Sequence, residues 1–191
     1  MSSKHTYGQN RNFPSQSSQE PTMLLWLSLL LCSGACWAEH IYGACIGQNF
    51  NSSVNNDSDI SNIQVSFGTF GIMKGIRLKF GDVWGSWYGM NGGSYEEADL
   101  RSNEHIVAVS GSRRVYIRSL TFYTDHGRKF SFGTESGIGF MAYPDSHGKV
   151  LTGIVGKTEV LGICGIGFKW DDPVVLPTEA IDYNGTDTNF P

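Results

Sequence analysis

The chain has 191 residues, 40% of them hydrophobic and 13% aromatic, with 24 glycines and a formal net charge of −4. That length fits one ordinary domain with its own core, and the apolar content excludes a disordered polymer. A mildly acidic chain lacks the electrostatic footprint for nucleic acid or an anionic membrane surface, so neither is expected as a partner.

Residues 1–22 are polar and aperiodic; they form a leader left out of the fold, with Met23 as an alternative start. Met23–Leu31, MLLWLSLLL, is too short to span a bilayer but has the length of a signal-peptide apolar region. Small residues Cys36 and Ala38 fit positions −3 and −1 of a cleavage site, which makes residues 23–38 a signal peptide and Glu39 the first mature residue. Cleavage after Ala35, with Ser33 at −3, is the alternative. The product is expected to be secreted, extracellular and without membrane insertion, because no later apolar run approaches a span. Of four cysteines, cleavage removes Cys32 and Cys36. Cys45 and Cys164 remain, and in an oxidising compartment they read most simply as one disulfide. Asn51, Asn56 and Asn184 head N-x-S/T sequons, so they are candidate glycan acceptors.

From Ile60 onward the chain reads as short strands between turn residues. ISNIQVSF (60–67) alternates loosely, and GIRLKF (75–80) puts Ile76, Leu78 and Phe80 on one face with Arg77 and Lys79 on the other. Further strands are predicted at 105–111, 115–124, 129–133, 149–156 and 161–170, with TDHGR joining 115–124 and 129–133 as a hairpin. No mature segment sustains a helical period, so helix should be close to absent and the fold is all-β: a sandwich, barrel or prism. After Asp171 the composition turns to prolines and acidic residues, and 172–191 reads as a flexible C-terminal tail.

The ordered landmarks YGACIGQNF (42–50), IQVSFG (63–68), IRLKFGDVWGSWYG (76–89), LTFYTDHGRKFSFG (120–133), FMAYP (140–144), VLTGIVG (150–156) and IGFKWD (166–171) go further. Together they resemble the mammalian jacalin-related lectins of the zymogen granule and salivary secretory type, over most of a domain at 39–171. The resemblance implies a β-prism I of three four-stranded antiparallel sheets. It also implies a sugar site without cofactor or metal, made by a glycine-rich loop after the first strand and a G-x-x-x-D loop before the last. Glycines let backbone N–H groups approach a ligand, and a fixed carboxylate accepts paired hydroxyl donors.

This chain departs from that pattern. The family's aspartate falls on Cys164 and its glycine on Val160, while Ala44, Cys45 and Ile46 interrupt the glycine run before Gly47. A Cys45–Cys164 bridge would then lie across the ancestral sugar site; the plainer reading is a staple between terminal strands. The expected remodelled site draws on loops 43–50, 84–93 and 158–164, with Gly43, Gly47, Trp87, Tyr88, Lys157 and Glu159 as contributors. Core packing competes with recognition at Trp84, Trp87 and Tyr88.

Other chemistries find little support. Some relatives carry a basic surface for sulfated glycans, but the stretch after Trp84 offers only Met90 and Asn91, and Arg113 and Arg114 are adjacent and diverge if extended. Asp57 and Asp59 lack the spaced ligands of a calcium loop. His40, His105, His126 and His147 are scattered, no hydrolase or nucleotide motif occurs, and no nucleophile, base and orienting group can be named together, so the protein reads as no enzyme. The expected partners are glycans or glycoproteins, with exocrine secretion such as saliva as the setting. The alternative is a lectin fold that has lost sugar and acts on a cell-surface receptor or another protein.

Overall fold

The computed structural model describes residues 40–52 and 58–174. The leader, the signal segment, Asn56, Asp57, Asn184 and most of the tail lie outside the described residues. Among the described residues there is no helix, and the strands build three antiparallel sheets.

The first sheet has the order β1 (Gln48–Asn51), β11 (Val150–Glu159), β12 (Gly162–Asp171). Its fourth position is a single bridge: Tyr42 N–H donates to the Ile166 carbonyl at 2.7 Å and Ile166 N–H returns the bond at 3.1 Å, on the free edge of β12. The second sheet runs β10 (Ile138–Ala142), β7 (Ile106–Arg113), β8 (Ile117–Thr124), β9 (Lys129–Gly133). In the third, β4 (Val83–Trp84), β3 (Met73–Phe80), β2 (Ile60–Phe67) and β6 (Ser94–Asp99) are neighbours, and β5 (Tyr88–Gly89) also pairs with β3. Because β4 and β5 share one edge of β3, they act as one interrupted strand. The result is the three-sided, four-strand arrangement of a β-prism.

Alternation decides which face closes the prism. Ile63 and Val65, Ile76 and Leu78, and Leu120 and Phe122 are almost wholly removed from water. A fully buried side chain of this size contributes roughly 1.5–3 kcal/mol. Strand β6, SYEEAD, has no apolar alternation to read: only Ala98 points into the core and Glu96, Glu97 and Asp99 are exposed at the sheet edge. Charged residues on an edge strand discourage pairing with another chain.

Two acidic anchors hold the start of β7. The Glu104 side chain is fully buried and accepts from Arg101 N–H at 2.8 Å, Thr124 Oγ1 at 2.7 Å and Arg128 Nη1 at 2.6 Å. Burial alone would push its carboxyl up, but those three bonds and the guanidinium charge together hold it below the usual range. Beside it, Asp125 accepts from the His105 backbone at 2.9 Å and from Nδ1 at 3.0 Å, while Nε2 lies 3.3 Å from Asp59 Oδ2. Burial raises the Asp125 carboxyl, but the backbone and ring hydrogen bonds of His105, with the charges of His105 and His126, outweigh it and hold the group low. The imidazole thus ties β2, β7 and the β8–β9 turn together.

Since the folded state holds Glu104 below its ordinary value of 4.5, its contribution is complete above that pH and is lost as pH falls through the lowered value. Acid titration of thermal stability should therefore steepen below pH 4.5 in the parent protein and flatten in Glu104→Gln. Arg128→Leu, which leaves the carboxylate buried without its cation, should cost on the order of 3 kcal/mol at neutral pH.

Candidate functional site

After Tyr42 the chain leaves the edge of β12, crosses the β11–β12 hairpin in residues 43–47, and joins the far edge of β11 with Gln48 opposite Thr158. The crossing is in contact with the hairpin backbone. Gly43 sits at φ 125°, and a Cβ there would lie 2.3 Å from the Cys164 carbonyl oxygen. A Cβ at Gly47 would lie 2.4 Å from the Thr158 carbonyl oxygen. Only glycine fits this approach.

Cys164 is the extra residue of a β-bulge. Lys157 pairs with Gly165 and Thr158 with Ile163, so Cys164 has no partner across the ladder. A bulge re-aims its side chain, and here the fully buried sulfur meets Cys45 in a disulfide with Cα atoms 6.1 Å apart. Cys164 Sγ also lies 3.4 Å from the Lys157 carbonyl, a contact and not a hydrogen bond, since an oxidised sulfur carries no hydrogen. Lys157 Nζ donates to the Cys45 carbonyl at 3.3 Å, so the crossing is held by both a covalent and a polar contact.

Glu159 completes the cluster. One of its carboxylate oxygens lies within 4.8 Å of both bridged sulfurs. Tyr116, from the β7–β8 turn, donates its hydroxyl to Glu159 Oε2 at 3.3 Å. Burial, then the bond and charge of Glu159, push the Tyr116 phenol up, so it remains a donor at neutral pH. Two sulfurs and a carboxylate have the composition of a metal site, but a disulfide offers no thiolate. Among the described residues, the backbone N–H groups of 43–47 make no hydrogen bond. The end of the prism therefore carries backbone N–H groups without partners among the described residues, one ammonium and one carboxylate, edged by exposed Ile46, Val115, Val160 and Leu161.

Of the residues singled out from the sequence, Gly43, Gly47, Lys157 and Glu159 meet around the bridge. Tyr88 stacks on Phe50 with centroids 5.1 Å apart and donates to the Asn51 carbonyl at 3.2 Å, which commits it to packing between β5 and β1. Trp87, its neighbour, faces the other way, against Gly75 on the outer face of the third sheet. Asn51 is exposed at the end of β1. Sequence reasoning misses Tyr116, which is 43 positions from its partner Glu159 and belongs to no motif.

The Jacalin-like lectin domain model matches residues 40–169. The chain belongs to the jacalin-like lectin family. It is 34% identical over 151 residues to the prostatic spermine-binding protein of Rattus norvegicus, covering 78% of this chain but 53% of that protein, so it spans about half of the rat protein's length. It is 37% identical over 131 residues to zymogen granule membrane protein 16 of Homo sapiens, covering 68% of this chain and 77% of that one. Among solved structures, a prostate-specific WGA16 glycoprotein lectin is 38% identical, with a TM-score of 0.66 over 71% of this chain and 98% of its own. The artocarpin–mannotriose complex, at 20% identity and a TM-score of 0.56 over 69% of this chain and 95% of its own, shares the fold. The family match is to lectins and indicates no catalytic class.

Two substitutions test how this jacalin-like domain holds its crossing. Replacing Cys45 and Cys164 with alanine opens a loop of 119 residues and should lower unfolding free energy by about 4–5 kcal/mol in chemical denaturation. Gly43→Ala should cost roughly 1–3 kcal/mol through backbone strain and slow formation of the bridge on oxidative refolding.

Proposed function

We propose that the protein is a secreted lectin that binds extracellular carbohydrate, such as mucin or microbial glycans, through a remodelled site at the bridged end of the prism. The observation that carries the reading is the position of the Glu159 carboxylate beside the disulfide, next to backbone N–H groups of 43–47 without hydrogen-bond partners among the described residues. Backbone donors and one carboxylate suffice to bond adjacent sugar hydroxyls. Glu159 then supplies the acceptor that Cys164 lacks, held by Tyr116, and Lys157 adds donors from the strand beneath.

Secretion rests on the apolar segment Met23–Leu31 and on relatives named for the zymogen granule and the prostate. Mass spectrometry of protein released from a secretory cell should find a mature end at Glu39 or Cys36; retention of residues 23–38 would remove this support.

A second reading has its own observation. Ile46, Val115, Val160 and Leu161 expose aliphatic surface around the same end, and such surface suits a protein partner better than a sugar. The discriminating experiment is a glycan array with oxidised protein, Glu159→Gln, and the double variant Cys45→Gly/Cys164→Asp. Specific binding by the parent that falls by tenfold or more in Glu159→Gln, as expected for about 1.5–3 kcal/mol from a charged hydrogen bond, supports the lectin reading. Silence from the parent with binding gained by the double variant would favour the protein-contact reading.

A further inference from the structure

The outer face of the third sheet carries a second arrangement with no part in the bridged end. Register sets its rows: Gln64 on β2 stands between Arg77 on β3 and Glu97 on β6, and Ser66 stands between Gly75 and Tyr95. Gly75 makes room for a ring. A Cβ there would lie 2.5 Å from the Trp87 indole, so the indole rests directly on the β3 backbone. Trp87 and Tyr95 then meet at a tilt with centroids 5.5 Å apart. Together with Gln64, Arg77 and Asn91 they line an open groove of about 350 Å³.

The lining side chains are held in place by contacts that leave the groove side open. Trp87 Nε1 donates to the Met90 carbonyl at 3.3 Å, and the Tyr95 hydroxyl accepts from Gly92 N–H at 3.0 Å. Arg77 Nε donates to Gln64 Oε1 at 2.7 Å, and its guanidinium lies 4.1 Å from the Trp84 ring centroid. Gln64 passes its amide N–H to Glu97, which is not among the groove-lining residues. Among the described residues, the two terminal nitrogens of Arg77 make no hydrogen bond or ion pair. Arg77 is also the one charged side chain lining the groove. Ser66, on the same outward face between Gly75 and Tyr95, is fully buried, and its hydroxyl has no partner. Buried hydroxyls without partners are uncommon and call for an explanation.

From this we infer that the groove binds a pyranose carrying a carboxylate, a uronic or sialic acid residue. Its apolar ring face stacks on Trp87 and Tyr95, and its carboxylate takes the paired terminal N–H groups of Arg77. Aromatic rings supply large contact area at small entropic cost, and a planar guanidinium fork matches a carboxylate. Asn91 and Gln64 face the hydroxyls. A neutral hexose keeps the stacking but leaves the guanidinium unanswered. The inference goes beyond the bridged-end reading and does not depend on it.

The test follows the Trp87 indole N–H in 1H–15N spectra of the intact oxidised domain while methyl glucuronide, the methyl glycoside of N-acetylneuraminic acid, or methyl glucoside is added. At least one acidic sugar should shift this signal with an affinity tenfold or more above that of the glucoside; which acid does so separates the two sources. Arg77→Gln should weaken that binding tenfold or more, and Tyr95→Ala should weaken it while leaving the Arg77 guanidinium in place. Glu159→Gln should leave it unchanged. An indole indifferent to all three sugars, equal affinity for the glucoside, or full binding by Arg77→Gln with an unaltered near-UV spectrum would overturn the inference. So would loss of the Trp87 shift in Glu159→Gln, because the ligand would then sit at the bridged end.

Discussion

Everything at the bridged end depends on one close approach, the passage of residues 43–47 across the β11–β12 hairpin at backbone contact distance. The crossing lets one segment serve both edges of the first sheet, through Tyr42 against Ile166 and Gln48 against Thr158. It is possible because Gly43 and Gly47 have no side chain at the two points where a carbonyl oxygen comes nearest. It also brings Cys45 over the bulged Cys164, within reach of the disulfide.

The same geometry places a carboxylate beside the sulfur that stands where the family resemblance puts an aspartate. The bulge turns the Cys164 side chain toward the 43–47 loop. With sulfur in that position, the nearest acid is Glu159, five residues back on the facing strand and oriented by Tyr116 from another sheet. In the proposed lectin site the acceptor is therefore Glu159 and not the residue at the bulge. Exposed aliphatic residues at the rim make part of the same end a surface for apolar contact.

Strands whose two faces differ were legible in the sequence. GIRLKF announces Ile76, Leu78 and Phe80 as core and Arg77 as surface, and all four stand that way. Strand β6 was not legible, because an edge strand with one small inward residue, Ala98, has no alternation to detect. The pairing of Cys45 with Cys164 could be read by counting cysteines, and the family from landmarks in order. The bulge at Cys164 and the bond from Tyr116 to Glu159 could not, because both arise from register between strands distant in the chain. The division of Trp87 from Tyr88 has a local cause. Trp87 immediately precedes β5 and points to the opposite side from Tyr88, so one aromatic packs toward β1 while the other lies on the outer face against Gly75 and Tyr95.

The bridge joins residue 45 to residue 164, and among the described residues every turn from β1 to the β11–β12 tip falls inside the loop it closes. A protease that nicks any one of those turns releases no fragment, because the two pieces stay covalently joined and the central sheets keep both together. Cleavage of one turn and separation of the pieces are thereby uncoupled: the covalent link between the two halves lasts until the bridge is also reduced.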